Sequence, residues 1–144
     1  MIIDKNLELA TAAALTVTAI STDVIDLGVT PVLKNISGGR PLYAVFMVTT
    51  AMLAAGAATL ELSVETDSVV GLGTSPTVHA RTTPIPKALL IAGYSRVLAL
   101  PPEFLYERYL GLRLTVATGP FTAGAYSCII TPNLQTWAAL ADRL

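Results

Sequence analysis

The sequence predicts an all-β protein, folded as a sandwich or barrel of about eight short strands. Apolar and polar residues alternate with the period of a half-buried strand, most clearly over residues 108–116, where Leu110, Leu112, Leu114 and Val116 share one face. Glycine and proline recur between such segments, as they do in the turns of small β proteins. Because no helical periodicity lies between the strands, a parallel α/β sheet is not expected.

The predicted strands follow one another along the chain at intervals of roughly 8–15 residues, a spacing typical of a sandwich or barrel. They cover residues 15–20, 24–27, 42–50, 59–66, 77–83, 94–100, 108–116 and 125–131. Pro84 and Pro86 end the fifth strand, since proline cannot donate to a central ladder. Residues 87–92 fit either a strand or a helical turn, and residues 34–39 carry the Asn, Ser and Gly-Gly pair of a loop.

A length of 144 residues and a mass of 15.1 kDa suit one domain. We expect three parts: an N-terminal arm over residues 1–13, a β domain over 14–135 and a C-terminal tail over 136–144. In the tail, Trp137, Leu140 and Leu144 fall on one face of a short predicted helix. Two turns of isolated helix are unstable in water, so we expect the tail to dock on another surface.

The composition is low in charge for a small protein. Lys, Arg, Asp and Glu make up 13% of the residues, against about 25% in typical domains, and the mean hydropathy is +0.63. So few charges cannot cover the whole outside of the molecule, and we expect part of it to be buried in a membrane or against other protein chains. Nine basic and ten acidic residues leave no basic stripe, which excludes a nucleic-acid-binding function.

Residues 41–60 carry no charge over the length that a membrane-spanning helix needs. Residues 43–50 are nevertheless rich in β-branched and aromatic side chains, and residues 60–66 alternate strictly. A strand, an apolar loop and a second strand fit the region better, and a small membrane protein with a span at 41–60 is kept as a third hypothesis. The first residues lack the features of a signal peptide, so we expect the protein to be intracellular where it is made.

Two predicted strands are apolar on both faces. In residues 43–48, the odd positions from Tyr43 to Met47 and the even positions from Ala44 to Val48 are all apolar, and residues 125–130 repeat the pattern. Because an antiparallel sandwich strand normally wets one face, we expect another subunit to cover the outer one. The candidate interface residues are Tyr43, Val45, Met47, Met52, Leu53, Tyr126, Trp137, Leu140 and Leu144.

The sequence offers no recognisable catalytic or metal-binding set. His79 is the only histidine and Cys128 the only cysteine, which excludes a histidine-based metal cluster or a disulfide within one chain. We expect His79 to be a surface or interface residue of a strand, and Cys128 to be a buried, unreactive thiol. Glu61 and Glu65 lie about 13 Å apart on one face of a strand, too far apart for a glycosidase pair. With Ser63 we expect them to form a solvated face.

The remaining charged side chains are expected in structural roles. Asp23 and Asp26 suit turns and strand ends better than a calcium site, which needs about six to eight oxygens. Arg108 and Arg113 suit ion pairs at a surface or an interface. We therefore expect a protein that is not an enzyme, binds no cofactor and is a structural part of an assembly.

Six short segments carry a resemblance to a known family. They are residues 1–5 (MIIDK), 21–28 (STDVIDLG), 39–43 (GRPLY), 60–67 (LELSVETD), 107–112 (ERYLGL) and 119–124 (GPFTAG). In this order they resemble segments of the capsid cement proteins of tailed bacteriophages, typified by that of the Bordetella podovirus. The resemblance covers residues 1 to about 135.

The resemblance implies a jelly-roll antiparallel β-sandwich on the outer surface of an icosahedral phage shell. There it would bridge neighbouring major capsid proteins and associate with itself as a dimer or trimer, with no catalysis, cofactor, nucleic acid or membrane involved. It would be made in the host cytoplasm and end in the virion. The alternative from another functional class is a carbohydrate-binding or cupin-like jelly-roll module, which one histidine and nine aromatic residues support poorly.

Overall fold

The computed structural model describes residues 4–29, 40–102 and 106–134. These residues form an all-β fold, which confirms the predicted class. The strands are β1 (Glu8–Ala14), β2 (Ala19–Ile20), β3 (Ile25–Asp26), β4 (Leu42–Leu53), β5 (Thr59–Asp67), β6 (Thr77–Arg81), β7 (Ile85–Pro86), β8 (Ser95–Leu100), β9 (Tyr109–Ala117) and β10 (Ala123–Thr131). Single 3-10 turns occupy Lys5–Leu7 and Lys87–Leu89.

The strands form two antiparallel sheets. The first sheet has the order β1-β10-β4-β8. In the second sheet β9 and β5 are the central pair, and each has two short strands on its other side, β2 and β3 beside β9 and β6 and β7 beside β5. The central pairs have long, regular ladders: β9 pairs β5 over all nine residues of β5, from Thr59 to Asp67.

The core lies between the two sheets. The second sheet contributes Leu110, Leu112 and Leu114, all fully buried, as the alternation over residues 108–116 predicts. The first sheet contributes the even positions of β4 and the facing positions of β10, where the rings of Phe46 and Tyr126 stack with centroids 5.5 Å apart. The predicted alternation of residues 43–48 is therefore confirmed, with the odd positions turned away from the core.

Three boundaries differ from the sequence-based expectation. β1 begins at Glu8, inside the range predicted as an arm, because Leu9 and Ala10 are fully buried and the strand pairs with β10. Residues 15–18 form a bend rather than a strand. β4 continues to Leu53, three residues into the predicted apolar loop 51–58. The predicted helical tail and its residues Trp137, Leu140 and Leu144 lie outside the described residues.

Residues 41–60 comprise β4, a short connection and the start of β5, as the strand–loop–strand interpretation predicts. Within the described part of the chain, no helix is long and apolar enough to cross a membrane.

Candidate functional site

The outer face of the first sheet is apolar. Val45 lies at its centre, directly opposite Val97 of β8 and Ile129 of β10, and Tyr43 and Met47 flank it along β4. These five residues are called the first-sheet outer face below. Val45 and Ile129 are only 2% and 4% exposed although they lie outside the core between the sheets, whereas Val97 is 42% exposed.

Within β4, β8 and β10, uncharged residues flank this row, whereas Glu8 of the edge strand β1 stands opposite Ile129. Met47 stands opposite Ser95 and Ser127, and Tyr43 stands opposite Ala99 and Thr131. Among β4, β8 and β10 the single charged residue is Arg96, which is in register with Phe46 and so belongs to the other face. The first-sheet outer face is therefore uncharged across β4, β8 and β10.

The structure separates the candidate interface residues that the sequence grouped together. Tyr43 and Met47 are half-buried on the first-sheet outer face, beside Val45. Tyr126 points into the core and is stacked on Phe46, so we remove it from the proposed interface. Met52 is also part of the core, while Leu53 is exposed at the end of β4. The three tail residues lie outside the described residues.

A second apolar surface lies at the end of β4. Residues 51–55 line a shallow groove there with residues 87, 88, 90 and 91. Leu53 and Ile91 in the groove, and Leu89 beside it in the chain, are each more than half exposed. The Lys87 ammonium donates to the Ala54 carbonyl oxygen at 2.6 Å, which ties the two walls together. The predicted apolar loop thus becomes one wall of an apolar groove.

The outer face of the second sheet differs from the prediction. We expected Glu65 and Ser63 to be solvated, but both are about 4% exposed, because residues 68–76 fold back over this face. Glu65 accepts from the Ser63 hydroxyl at 2.6 Å and from Arg113 Nε at 2.7 Å. Glu61 stays half-exposed, with Arg81 Nε 3.6 Å away. A partly buried ion pair therefore replaces the expected solvated face.

Asp67, at the end of β5, holds both ends of this covering loop. Its carboxylate accepts from the backbone N–H of Thr74 at 2.9 Å and from those of Ser75 and Val69 at 3.4 Å. The Ser68 hydroxyl also donates to it, at 3.2 Å. Burial by itself would raise the pKa of Asp67, but these donors outweigh burial and lower the pKa below its ordinary value.

Leu72 holds the middle of the loop. Its side chain is fully buried against Gly111 of β9, where a Cβ would lie 2.7 Å from Leu72 Cδ1. The Leu72 carbonyl accepts from the Arg113 guanidinium, which also pairs with Glu65. Leu72 has φ +46°, a left-handed conformation that costs a side-chain-bearing residue roughly 1–2 kcal/mol. The surrounding contacts maintain this strained backbone.

His79 is buried rather than at the surface, so that expectation was wrong. Its Nε2 lies 2.6 Å from the Thr66 hydroxyl oxygen, which also accepts the Glu107 N–H at 3.2 Å. The imidazole packs on the Tyr106 ring with centroids 4.2 Å apart. Burial lowers the pKa of His79, and Glu107 partly opposes this. The cluster joins β5 and β6 to the segment before β9, which explains why this histidine is inside.

Cys128 lies on the inner face of β10, as expected, and is fully buried. Burial raises the pKa of its thiol to about 12, which matches the predicted unreactive side chain. Within the described residues, no group of three or more His, Cys, Asp or Glu side chains is placed to hold a metal ion.

The other predicted ion pair lies at the second sheet's edge. Arg108 contacts both carboxylate oxygens of Asp26, at 3.0 and 2.9 Å, and its guanidinium carbon lies 4.8 Å from the Tyr109 ring centroid. Arg108 and, to a lesser degree, the Gly28 N–H lower the pKa of Asp26. Asp26 thus has the strand-end role that its position predicts.

Residues 71–76 are a loop by their sequence, but the covering of the second sheet by residues 68–76 was not predicted. Asp67 directly after an alternating strand, followed by Ser68 and a glycine-rich stretch, is a pattern in which Asp accepts from nearby backbone N–H groups. That signal predicts a turn, but it contains nothing about which face the turn covers.

Comparison with known proteins gives one assignment. No curated protein matches the chain. The Bbp16 family model matches residues 9–130, which span both sheets from β1 to β10. The match is consistent with a Bordetella phage protein family, as the resemblance implies. The chain therefore belongs to the Bbp16 family.

Proposed function

We propose that this protein is a capsid cement protein, also called a decoration protein. It binds the outer surface of an icosahedral phage shell, bridges neighbouring major capsid proteins and associates with itself as a dimer or trimer. It has no catalytic role in this proposal. Membership of the Bbp16 family supports a phage structural protein, and the surface of the molecule supports the role in an assembly.

The strand order supports a jelly-roll fold. The first sheet has the order β1-β10-β4-β8, and the second has the order β2/β3-β9-β5-β6/β7. If each pair of short strands is one interrupted strand, the fold has eight strands in two four-stranded sheets. The chain changes sheet at every connection between these eight strands except the one from β5 to β6/β7, as in a jelly roll of two Greek keys. Jelly rolls of this kind are common in viral capsids.

The observation that carries the proposal is the first-sheet outer face. A sandwich sheet normally presents polar side chains to water on its outer side, but here Val45, Val97 and Ile129 form a continuous apolar row. Val45 and Ile129 are themselves buried, and water reaches this face at Val97, which is 42% exposed, and at the half-buried Tyr43 and Met47. Apolar surface that reaches water on the face of a small protein marks contacts with other proteins. Because 13% charge leaves few charged groups to surround such a patch, burial against capsid or sister subunits accounts for both observations.

The proposed mechanism is thermodynamic. A protein that binds the assembled shell but not dissociated capsid subunits stabilises the shell by mass action. A standard protein interface buries about 1,600 Å². When many copies bind one shell, a capsid subunit can leave only if all of its contacts break together. That is far less favourable than the loss of a single contact.

The test uses purified protein and expanded shells that lack it. We expect binding in a fixed number of copies per shell and a higher shell disruption temperature, measured by sedimentation and by light scattering during heating. Val97→Glu places a charge on the first-sheet outer face and should weaken binding. Val17→Glu, at a residue 59% exposed in the bend after β1, is the matched control and should bind normally. Shells that neither bind the protein nor gain stability would refute the proposal.

A further inference from the structure

The covering loop, residues 68–76, ends in an apolar tip. Val69 and Val70 are 40% and 58% exposed. Their combined accessible surface is about that of one fully exposed valine. A β-turn forms the tip, because the Leu72 N–H donates to the Val69 carbonyl at 3.1 Å. Loops of globular proteins are usually polar, so two adjacent exposed valines at a turn are unusual.

The tip is held rigidly on the second sheet. Asp67 accepts three backbone N–H groups from the loop, Arg113 binds the Leu72 carbonyl, and the Leu72 side chain fills the space above Gly111. Leu72 keeps a left-handed backbone against its steric preference. Strained backbone that is fixed from several sides is characteristic of binding loops, because a preordered loop loses little entropy when it binds.

The chemistry of the tip restricts the partner. Residues 68–77 contain no charged side chain, and the nearby Arg113 is already paired with Glu65 and the Leu72 carbonyl. The loop therefore has no cation for phosphate or for an anionic lipid surface. Its valines match an uncharged apolar pocket on another folded protein.

The location of the tip suggests what it binds. It lies on the second sheet, whereas the first-sheet outer face lies on the opposite side of the sandwich. A protein that bridges two neighbours needs contact surfaces on different sides. We propose that residues 68–72 form a preformed apolar plug that inserts into a pocket of a shell subunit, as the second of two contact surfaces. This inference rests on the cement function proposed above.

The experiment compares three variants with the wild type for binding to expanded shells. Val69→Ser with Val70→Ser removes the apolar tip. We expect an unchanged melting temperature and a loss of roughly tenfold to a hundredfold in affinity per site. Val17→Ser is the matched control, which changes an equally exposed valine elsewhere and should bind as the wild type does.

The third variant, Gly111→Ala, leaves both tip valines in place and displaces the plug, since the new Cβ would meet Leu72 Cδ1 at 2.7 Å and, less closely, Val24 Cγ1 at 3.1 Å. We expect weaker shell binding with both tip valines present. If this variant does not fold, the tip variant alone decides the question. A tip variant that binds shells as tightly as the wild type would overturn the plug while the cement function stands. The plug would also be overturned if the free wild-type protein associates with itself and the tip variant does not. A wild type that binds no shells would instead refute the cement function.

Discussion

The folded protein should lose stability steeply at alkaline pH, because β10 carries two ionisable groups inside the core. Burial raises the pKa of the Cys128 thiol from 9.0 to about 12. Burial also raises the pKa of Tyr126, two residues earlier on the same inner face, from 10.0 to about 12, with a smaller contribution from Cys128. Both groups are neutral in the folded chain at pH values where the unfolded chain is ionised.

The sign and size of the effect follow from proton binding. Above pH 9 the unfolded state binds fewer protons than the folded state, so the free energy of unfolding falls as the pH rises. The contribution of Cys128 is complete below pH 9 and is lost between about pH 9 and 12. At about 1.4 kcal/mol per pH unit, a rise to pH 11 removes about 3 kcal/mol. That is a large part of the typical stability of a small domain.

The assay is urea unfolding followed by circular dichroism at pH 8, 9.5 and 11, for the wild type and for Cys128→Ala. The variant has a small cavity and should be less stable at pH 8, but it should lose about 3 kcal/mol less than the wild type on going to pH 11. Reaction of Cys128 with a thiol reagent should require unfolding at every pH. The same pH slope for both proteins, or rapid reaction of the native thiol, would refute this account of the core.

Three further predictions concern other parts of the fold. Gly124→Ala should destabilise the protein by about 2–3 kcal/mol in thermal or urea unfolding, since Gly124 has φ +148° and a Cβ there would collide with Met52 Sδ. Arg113→Met should cost about 3 kcal/mol in the same assay, because it leaves the buried Glu65 carboxylate without its cation. Deleting residues 137–144 should weaken shell binding or self-association, measured by sedimentation, while the far-ultraviolet circular dichroism stays that of the β fold.

Each of these predictions has a control. Gly56→Ala, where a Cβ would have an ordinary 3.7 Å contact, should be nearly neutral, and equal costs for the two glycine variants would contradict the packing argument. Adding Glu65→Gln to Arg113→Met should restore part of the lost stability, and purely additive effects would show that the pair is not coupled. A truncated chain that assembles and binds like the full one would remove any role for residues 137–144.

The sequence by itself determined which residues form the central strands. Period-two alternation is a local property, so residues 43–48 and 108–116 could be assigned to strands and to faces without knowledge of the fold. The burial of Cys128 also followed from its immediate neighbours in the sequence, whereas the partner of Arg108, Asp26, lies 82 residues away. β1 was missed because four of its seven residues are alanine, which is depleted in strands, and it is a strand only because β10 supplies the ladder beside it.

Only the tertiary structure decided what covers each face. Glu65 and Ser63 have the pattern of a solvated strand face, yet residues 68–76 bury them, since Leu72 finds an open space above Gly111 on a strand almost forty residues away. His79 is inside for the same reason, because Tyr106 packs on it from a distant segment. A strand pattern states which side chains share a face, but burial depends on contacts between residues far apart in the chain, which no local pattern contains.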